Sequence, residues 1–198
     1  MSFRSLTIAA VAAMACAPAV AFAADPAADK IEAFDSALIR TMKAGKDAGS
    51  QGRYKLMTPA VDSAFDLPAM VGFAVGPSWA ATSAEDKAAV VAAFRRYTVA
   101  NYAKNFDSYD GQKISVVGDV LTRGPDKVVK TEMTGGERVT LSYRMRMSGG
   151  SWKIIDVFFN GSISQLTTQR SDFSATVASG GAKALVAKLN AQADKLLK

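Results

Sequence analysis

The stretch WKIIDVFFNG, Trp152 to Gly161, decides how the rest of the sequence is interpreted. Its β-branched and aromatic residues predict a β-strand, although neither set of alternating side chains is polar. One set contains Trp152, Ile154, Asp156 and Phe158, and the other contains Ile155, Val157 and Phe159. Such a strand needs apolar cover on both faces, either from helices or from something that is not protein.

The residues before this strand predict the sheet to which it belongs. Arg138 to Met147 alternates strictly between apolar and polar side chains, which is typical of a strand with one buried face. The intervening Ser148–Ser151, SGGS, predicts a hairpin turn. Two earlier strands are predicted at Lys113–Val117 and Lys127–Met133. We therefore expect a twisted antiparallel sheet of about four strands.

Helical periodicity occupies the chain on both sides of the strands, with apolar residues three and four positions apart. The predicted helices are Asp29–Lys43, Tyr54–Ala64, Leu67–Val75, a long helix from Ser83 to about Asn105, Ser164–Ala178 and Gly181–Leu197. Helices before and after an antiparallel sheet indicate the α+β fold class, with the sheet packed against N- and C-terminal helices.

The amino terminus predicts export from the cell. Arg4 precedes an apolar run, and the small residues of AFAA offer a cleavage site, so residues 1–24 are interpreted as a cleaved signal peptide. Residues 25–198 then form a single domain, for which the bacterial periplasm is the expected location. Cys16 leaves a lipoprotein signal open as an alternative, but Ala13 stands where such signals prefer a larger aliphatic residue.

Composition argues against several classes of function. The chain has no histidine, and its single cysteine, Cys16, lies in the predicted leader, which excludes imidazole metal sites, thiolate catalysis and disulfides in the mature chain. Nucleotide-binding glycine motifs and a nucleophile elbow are also missing from the sequence. The net charge of +6 is dispersed, which disfavours nucleic-acid binding. We expect no enzyme activity, no cofactor, no metal and no catalytic residue.

Asp156 is the carboxylate that most needs an explanation, because it interrupts an apolar strand. We predict that it pairs across the hairpin with Arg144 or Arg146, which share a polar face with it in one register. A catalytic carboxylate in a pocket is the alternative. Asp107 and Asp110 lie in a turn-like stretch, where turn formation explains them.

Four segments resemble a known family. They are FDLPAMVGFAVGPSW (65–79), AAFRRYTVANYAKNF (92–106), SYRMRMSGGSWKIIDVFFNGSISQLTTQRSDF (142–173) and GGAKALVAKL (180–189). In this order they resemble the MlaC, or toluene-tolerance, family of periplasmic lipid carriers. AVGPSW, FRRYTVANYAKNFDSYDGQ and SGGSWKIIDV are similar in particular to the HpnM branch, which is associated with hopanoid biosynthesis.

The resemblance implies a sheet and helices around a deep apolar pocket that takes the tails of a phospholipid or hopanoid. It implies that the protein shuttles this lipid between the inner and outer membranes and so helps to maintain the outer membrane. The implied partner is a membrane transport complex, an MCE-type ABC system for the MlaC branch or an RND-type exporter for the hopanoid branch. We expect the carrier to act as a monomer.

An unfilled apolar slot beside the sheet would also explain a strand with two apolar faces. Aromatic and methionine side chains suit such a slot, because they adapt to varied lipids at low cost. The predicted lipid-binding residues are Phe73, Trp79, Phe94, Tyr97, Tyr143, Met145, Val157, Phe159 and Ile163. Ordinary core packing is the alternative for each. No cluster of cations marks a phosphate site, so we expect tail-led binding, with Arg95 and Arg96 facing membranes or partners.

Two other functions fit the same sequence. A ligand-free adaptor of a membrane transport complex would bury the apolar strand beneath its own helices and would contain no cavity large enough for a lipid chain. An enzyme would need Asp156 inside the pocket as a proton-transfer base, without an arginine partner.

Overall fold

The computed structural model describes residues 25–198, so the predicted signal peptide lies outside the described part of the chain. The helices are α1 (Pro26–Ala44), α2 (Gly49–Ala64), α3 (Leu67–Val75), α4 (Ser78–Ala81), α5 (Ala84–Asn105) and α6 (Gln165–Leu196). The strands are β1 (Lys113–Val116), β2 (Leu121–Arg123), β3 (Asp126–Thr134), β4 (Val139–Ser148), β5 (Ser151–Phe159) and β6 (Ile163–Ser164). Helices flank a continuous run of strands, which confirms the α+β class.

Within residues 25–198 the sheet has six antiparallel strands, in the order β1-β3-β4-β5-β6 with β2 paired to β3. The prediction of about four strands was too low by two. The predicted strands correspond to β1, β3, β4 and β5, while β2 and β6 contain three and two residues. Segments this short contain too few residues to show an alternating pattern, so periodicity cannot find them.

Strand β5 shows two apolar faces in sequence because a bulge interrupts its alternation. The register with β4 shifts between Arg144 and Met145, which face Asp156 and Ile154 respectively. Ile155 is therefore the extra residue of a β-bulge. Because of it, Ile154 and Val157 lie on the same face of the sheet, although their positions differ by an odd number. The chain between α2 and α3 runs alongside β5 on the side opposite β4. There the Asp66 backbone amide donates to the Ile154 carbonyl at 2.9 Å. The bulge therefore explains the two apolar sets in the sequence, and the α2–α3 connection covers the edge of β5.

The core lies between the helices and one face of the sheet. Phe34 of α1 stands at its centre, with edge-on ring contacts to Phe65 and Tyr102 at 5.2 Å and to Tyr143 at 6.2 Å. These contacts join α1, the α2–α3 connection, α5 and β4, and such edge-on aromatic pairs add to the stabilisation that burial provides. The same arrangement holds α5 over the sheet.

Helix α6 is one long element with a break at Gly181, which has φ 69° and ψ −173°. This conformation is essentially restricted to glycine, and it allows the chain to redirect between two helical segments. The sequence predicted two helices with a boundary between Ala178 and Gly181, and the break lies at that boundary.

The predicted ion pair between Asp156 and an arginine is wrong. Arg144 and Arg146 instead bind Asp126 of β3, with Nε-to-oxygen distances of 2.6 Å for both arginines. Asp156 accepts from the backbone amide of Leu166 at 3.2 Å and from the Ser164 hydroxyl at 2.6 Å. The carboxylate therefore fixes the start of α6, where the helix dipole favours a negative charge.

Asp126→Asn is expected to lower the free energy of unfolding at pH 7 by about 1–3 kcal/mol. The Asp126 side chain is fully buried, and hydrogen bonds from Arg146 and Arg144 hold its pKa below the ordinary range. The amide would leave two half-exposed guanidinium groups side by side without a counter-charge. Urea unfolding measures the effect, with the exposed Asp119→Asn as the control. Equal unfolding midpoints for the two variants would show that Asp126 contributes no more than a surface carboxylate.

Candidate functional site

A cavity of about 360 Å³ lies between α5 and one face of the sheet. Its volume is within the range of roughly 300–1,000 Å³ that is usual for small-molecule sites. The residues that line it are Met42, Phe65, Met70, Phe94, Tyr97, Thr98, Asn101, Tyr102, Asn105, Phe106, Ile114, Thr131, Met133, Val139, Leu141, Val157, Phe159, Gln165, Leu166 and Gln169. The cavity is thus enclosed mainly by hydrocarbon side chains.

The sheet supplies its part of the wall through cross-strand register. Thr131 of β3 faces Leu141 of β4, which in turn faces Phe159 of β5. Cross-strand partners lie on the same face of a sheet, so these three side chains form one row across the cavity floor. Val157 and Met133 lie two positions away along their strands and extend the floor in opposite directions.

Helix α5 supplies the opposite wall because its cavity-facing residues recur at helical spacing. Phe94, Thr98, Asn101 and Asn105 are three or four positions apart and all line the cavity. The wall changes character along the helix, since Phe94 is buried whereas Asn105 is exposed. The apolar end of α5 is therefore closed, and the amide end opens to solvent.

The mouth of the cavity is uncharged within residues 25–198. Its polar residues are the amides of Asn101, Asn105, Gln165 and Gln169. Phe159 on the rim is 40% exposed. Its cross-strand partner Ile163 is 53% exposed, so the rim carries an apolar pair beside the amides. Hydrocarbon can enter here without passing a charge.

Comparison with known proteins identifies the fold and the family. The family model described as MlaC protein matches residues 32–191. The chain belongs to the MlaC family. A solved structure of a phospholipid-binding protein from Ralstonia solanacearum, determined in complex with a phospholipid, superposes with a TM-score of 0.75. The match covers 88% of this chain and 100% of that chain at 21% sequence identity, so it supports the shared fold. No curated protein matches the chain.

In this MlaC family member, four of the nine predicted lipid-binding residues line the cavity. They are Phe94, Tyr97, Val157 and Phe159. Tyr143 and Met145 lie on the same face of β4 as Leu141, but both are completely buried in the core and do not reach the cavity. Strand parity places them on the same face as the cavity wall, but it does not show how deeply a side chain is buried.

The other three predicted residues lie away from the cavity. Phe73 is 47% exposed and lines a separate groove on α3 together with Arg144 and Arg146. Trp79 of α4 is half-buried and lies against Gly72. Ile163 stands on the rim beside Phe159 without lining the cavity. Trp79 thus packs against the core and does not line the cavity.

Several lining residues escaped prediction although the sequence contained a signal for them. Leu141 shares strand parity with Tyr143, and Asn101 and Asn105 continue the helical spacing that begins at Phe94. Apolar periodicity carries no signal for polar wall residues, so it does not predict the amides of the mouth. Asp156 does not line the cavity, so the carboxylate that an enzyme would require is outside it.

Arg95 and Arg96, which were expected to face membranes or partners, connect helices. Arg95 binds both carboxylate oxygens of Asp62 in α2 at 2.5 Å. Arg96 binds Asp194 in α6 at 2.5 Å and donates to the Asn190 carbonyl. These pairs tie α5 to α2 and α6.

In the part of the chain that the structure describes, no group of three or more acidic, histidine or cysteine side chains is arranged to hold a metal ion. None of the helices in residues 25–198 combines the length and the apolar character that a membrane span requires.

Proposed function

We propose that this protein carries a lipid through the periplasm between the inner and outer membranes, with the lipid's apolar tails in the cavity. The observation that supports this most is the cavity wall. It is mainly hydrocarbon, and none of the residues of the described part of the chain that line it is charged. A phospholipid is the ligand class indicated by the family and by the phospholipid complex of the Ralstonia protein. A hopanoid is the alternative, on the resemblance of the sequence to the HpnM branch.

The energetics explain why a cavity without catalytic groups suffices. Exposing a methylene group to water costs about 0.8 kcal/mol, so a chain of about 16 carbons resists unassisted exit by more than 10 kcal/mol. An apolar cavity removes most of this cost without any reaction. Because the cavity mouth is open, the lipid can also leave again when an acceptor membrane is near.

The head group is expected to remain at the mouth. The Asn105 amide donates to the Asn101 side-chain oxygen at 3.2 Å, and neither amide bears a charge. Gln165 and Gln169 add further neutral donors and acceptors on the α6 side. Such groups can bond many polar heads but cannot neutralise a phosphate, so binding is led by the tails.

Delivery requires a partner in each membrane. Membership of the MlaC family points to an MCE-type ABC system as the partner. The resemblance to the hopanoid branch points to an RND-type exporter instead. The cavity favours a carrier over the ligand-free adaptor, because an adaptor has no need to leave apolar wall unfilled.

Lipid uptake from vesicles tests the proposal. Delipidated protein is incubated with phosphatidylethanolamine vesicles and separated from them by gel filtration, and organic phosphate is measured in the protein fraction. We expect about one phospholipid per chain for the wild type. Phe73→Ser, which alters an exposed phenylalanine outside the cavity, should take up the same amount. Protein that emerges free of phosphate would contradict the proposed function.

A further inference from the structure

Within residues 25–198, four buried polar atoms behind the cavity floor lack a hydrogen bond of good geometry. They are both carboxyl oxygens of Asp35, the Thr131 hydroxyl and the Tyr143 hydroxyl. The three residues are 4%, 1% and 0% exposed respectively. Folded proteins satisfy the great majority of such groups, so each exception requires an explanation, such as a water or a ligand group.

The three side chains, here called the polar cluster, come from three different elements. Asp35 lies on α1, Thr131 on β3 and Tyr143 on β4. The Tyr143 hydroxyl is close to both Asp35 and Thr131, although neither approach reaches good hydrogen-bonding geometry. Thr131 also lines the cavity. The polar cluster therefore meets the cavity at one point on its floor, which is Thr131.

The chemistry of the polar cluster suits a neutral partner. Desolvation raises the pKa of Asp35 to about 7, with a further contribution from Glu32. Below that pH the cluster consists of a protonated carboxyl and two hydroxyls, which can both donate and accept hydrogen bonds. A phosphate or an ammonium group would find no opposite charge there, whereas an alcohol hydroxyl would find both functions that it needs.

We propose that the polar cluster is a binding subsite for a hydroxyl group on the apolar part of the lipid. This inference rests on the proposed lipid-binding function. Thr131 lines the cavity while its hydroxyl is buried, so rotation about its Cα–Cβ bond would bring the hydroxyl to the cavity wall, with Tyr143 and Asp35 behind it as the next hydrogen-bonding groups. The cavity would thus prefer a hydroxylated tail over the same tail without the hydroxyl.

The test compares two fatty acids, octadecanoic acid and 12-hydroxyoctadecanoic acid, binding to the delipidated chain at pH 6. We expect the hydroxylated acid to bind about tenfold more tightly, as one additional satisfied hydrogen bond allows. Thr131→Val and Tyr143→Phe each remove one hydroxyl with little change in shape and should reduce the affinity ratio toward one. Thr98→Val removes a cavity hydroxyl outside the polar cluster and should preserve the ratio.

Equal affinity of the two acids for the wild type would overturn the inference, because the polar cluster would then hold an internal water only. An equal loss of preference in Thr98→Val would overturn it as well, since the effect would not belong to the polar cluster.

If neither acid binds, the carrier function fails and the subsite fails with it. If both acids bind equally, the carrier function stands. Circular dichroism shows whether each variant is folded. If Tyr143→Phe is unfolded, the result for Thr131→Val decides the outcome.

Discussion

Leu141→Glu is expected to abolish lipid loading while the protein remains folded. Leu141 lies in the middle of the cavity floor, between Thr131 and Phe159, and is only half-buried by protein atoms. In the empty cavity, water can reach the glutamate. A lipid tail would remove that water and supply no partner, so affinity should fall by at least about a hundredfold. Bound phospholipid per chain and the thermal midpoint are measured on the same samples.

Two further variants make this result specific. Ser142→Glu places the same charge on the opposite face of β4, across from Lys130, and should load normally. Phe94→Glu places it in the core, where Phe94 is almost fully buried against Phe173 at 6.0 Å, and should unfold the chain. Leu141→Glu that retains its lipid would show that the tails lie elsewhere.

Asp35→Asn is expected to stabilise the protein at pH 8 and to leave its stability nearly unchanged at pH 4. Desolvation by burial and the repulsion of Glu32 raise the pKa of Asp35 from 3.8 to about 7, against a smaller lowering by the contact with Tyr143. The folded state therefore holds the proton more tightly than the unfolded state does. The resulting stability is present at low pH and is lost as the pH rises from about 4 to about 7.

The size of the effect follows from the same shift. One pKa unit corresponds to about 1.4 kcal/mol, so the wild type should lose on the order of 4 kcal/mol relative to Asp35→Asn between pH 4 and pH 8. Urea unfolding at several pH values measures the difference between the two proteins. Asp47→Asn, at an exposed loop position, is the control. A difference that does not grow with pH would show that Asp35 is hydrated or paired in the folded state.

The order and type of the main elements could be predicted because each is long enough to repeat its pattern. The sequence predicts that the second helix begins at Tyr54, whereas α2 begins at Gly49. The glycine-containing residues before Tyr54 are helical but show no apolar periodicity, so the sequence pattern could not reveal them. The bulge at Ile155 could not be predicted, since an exchange of faces in β5 produces the same letters as a strand that is apolar throughout. The apparent anomaly of this strand was thus partly a matter of register.

An apolar cavity beside the sheet could be predicted from the sequence, but only some of the residues that line it could be. Parity and helical spacing state which face a side chain occupies, and they place Val157 and Phe94 correctly on the faces that meet at the cavity. They do not state whether that position is packed core, as for Tyr143, or cavity wall, as for Leu141. Depth depends on the separation of α5 from the sheet, which is a property of the whole fold.

The position of Asp35 in the sequence is itself a signal of an unusual environment. It follows Ile31 by four residues and precedes Leu38 by three, so it occupies the apolar stripe of α1. A carboxylate on such a stripe predicts either a buried partner or a raised pKa. Within residues 25–198 Asp35 has no ion-pair partner, and burial raises its pKa to about 7.

Native mass spectrometry of protein purified without detergent or solvent tests the central claim most directly. We expect the main species to exceed the mass of the chain by the mass of one lipid, and collisional activation should release that lipid intact. A single species at the mass of the bare chain, which remains unchanged after incubation with phospholipid vesicles, would contradict the account.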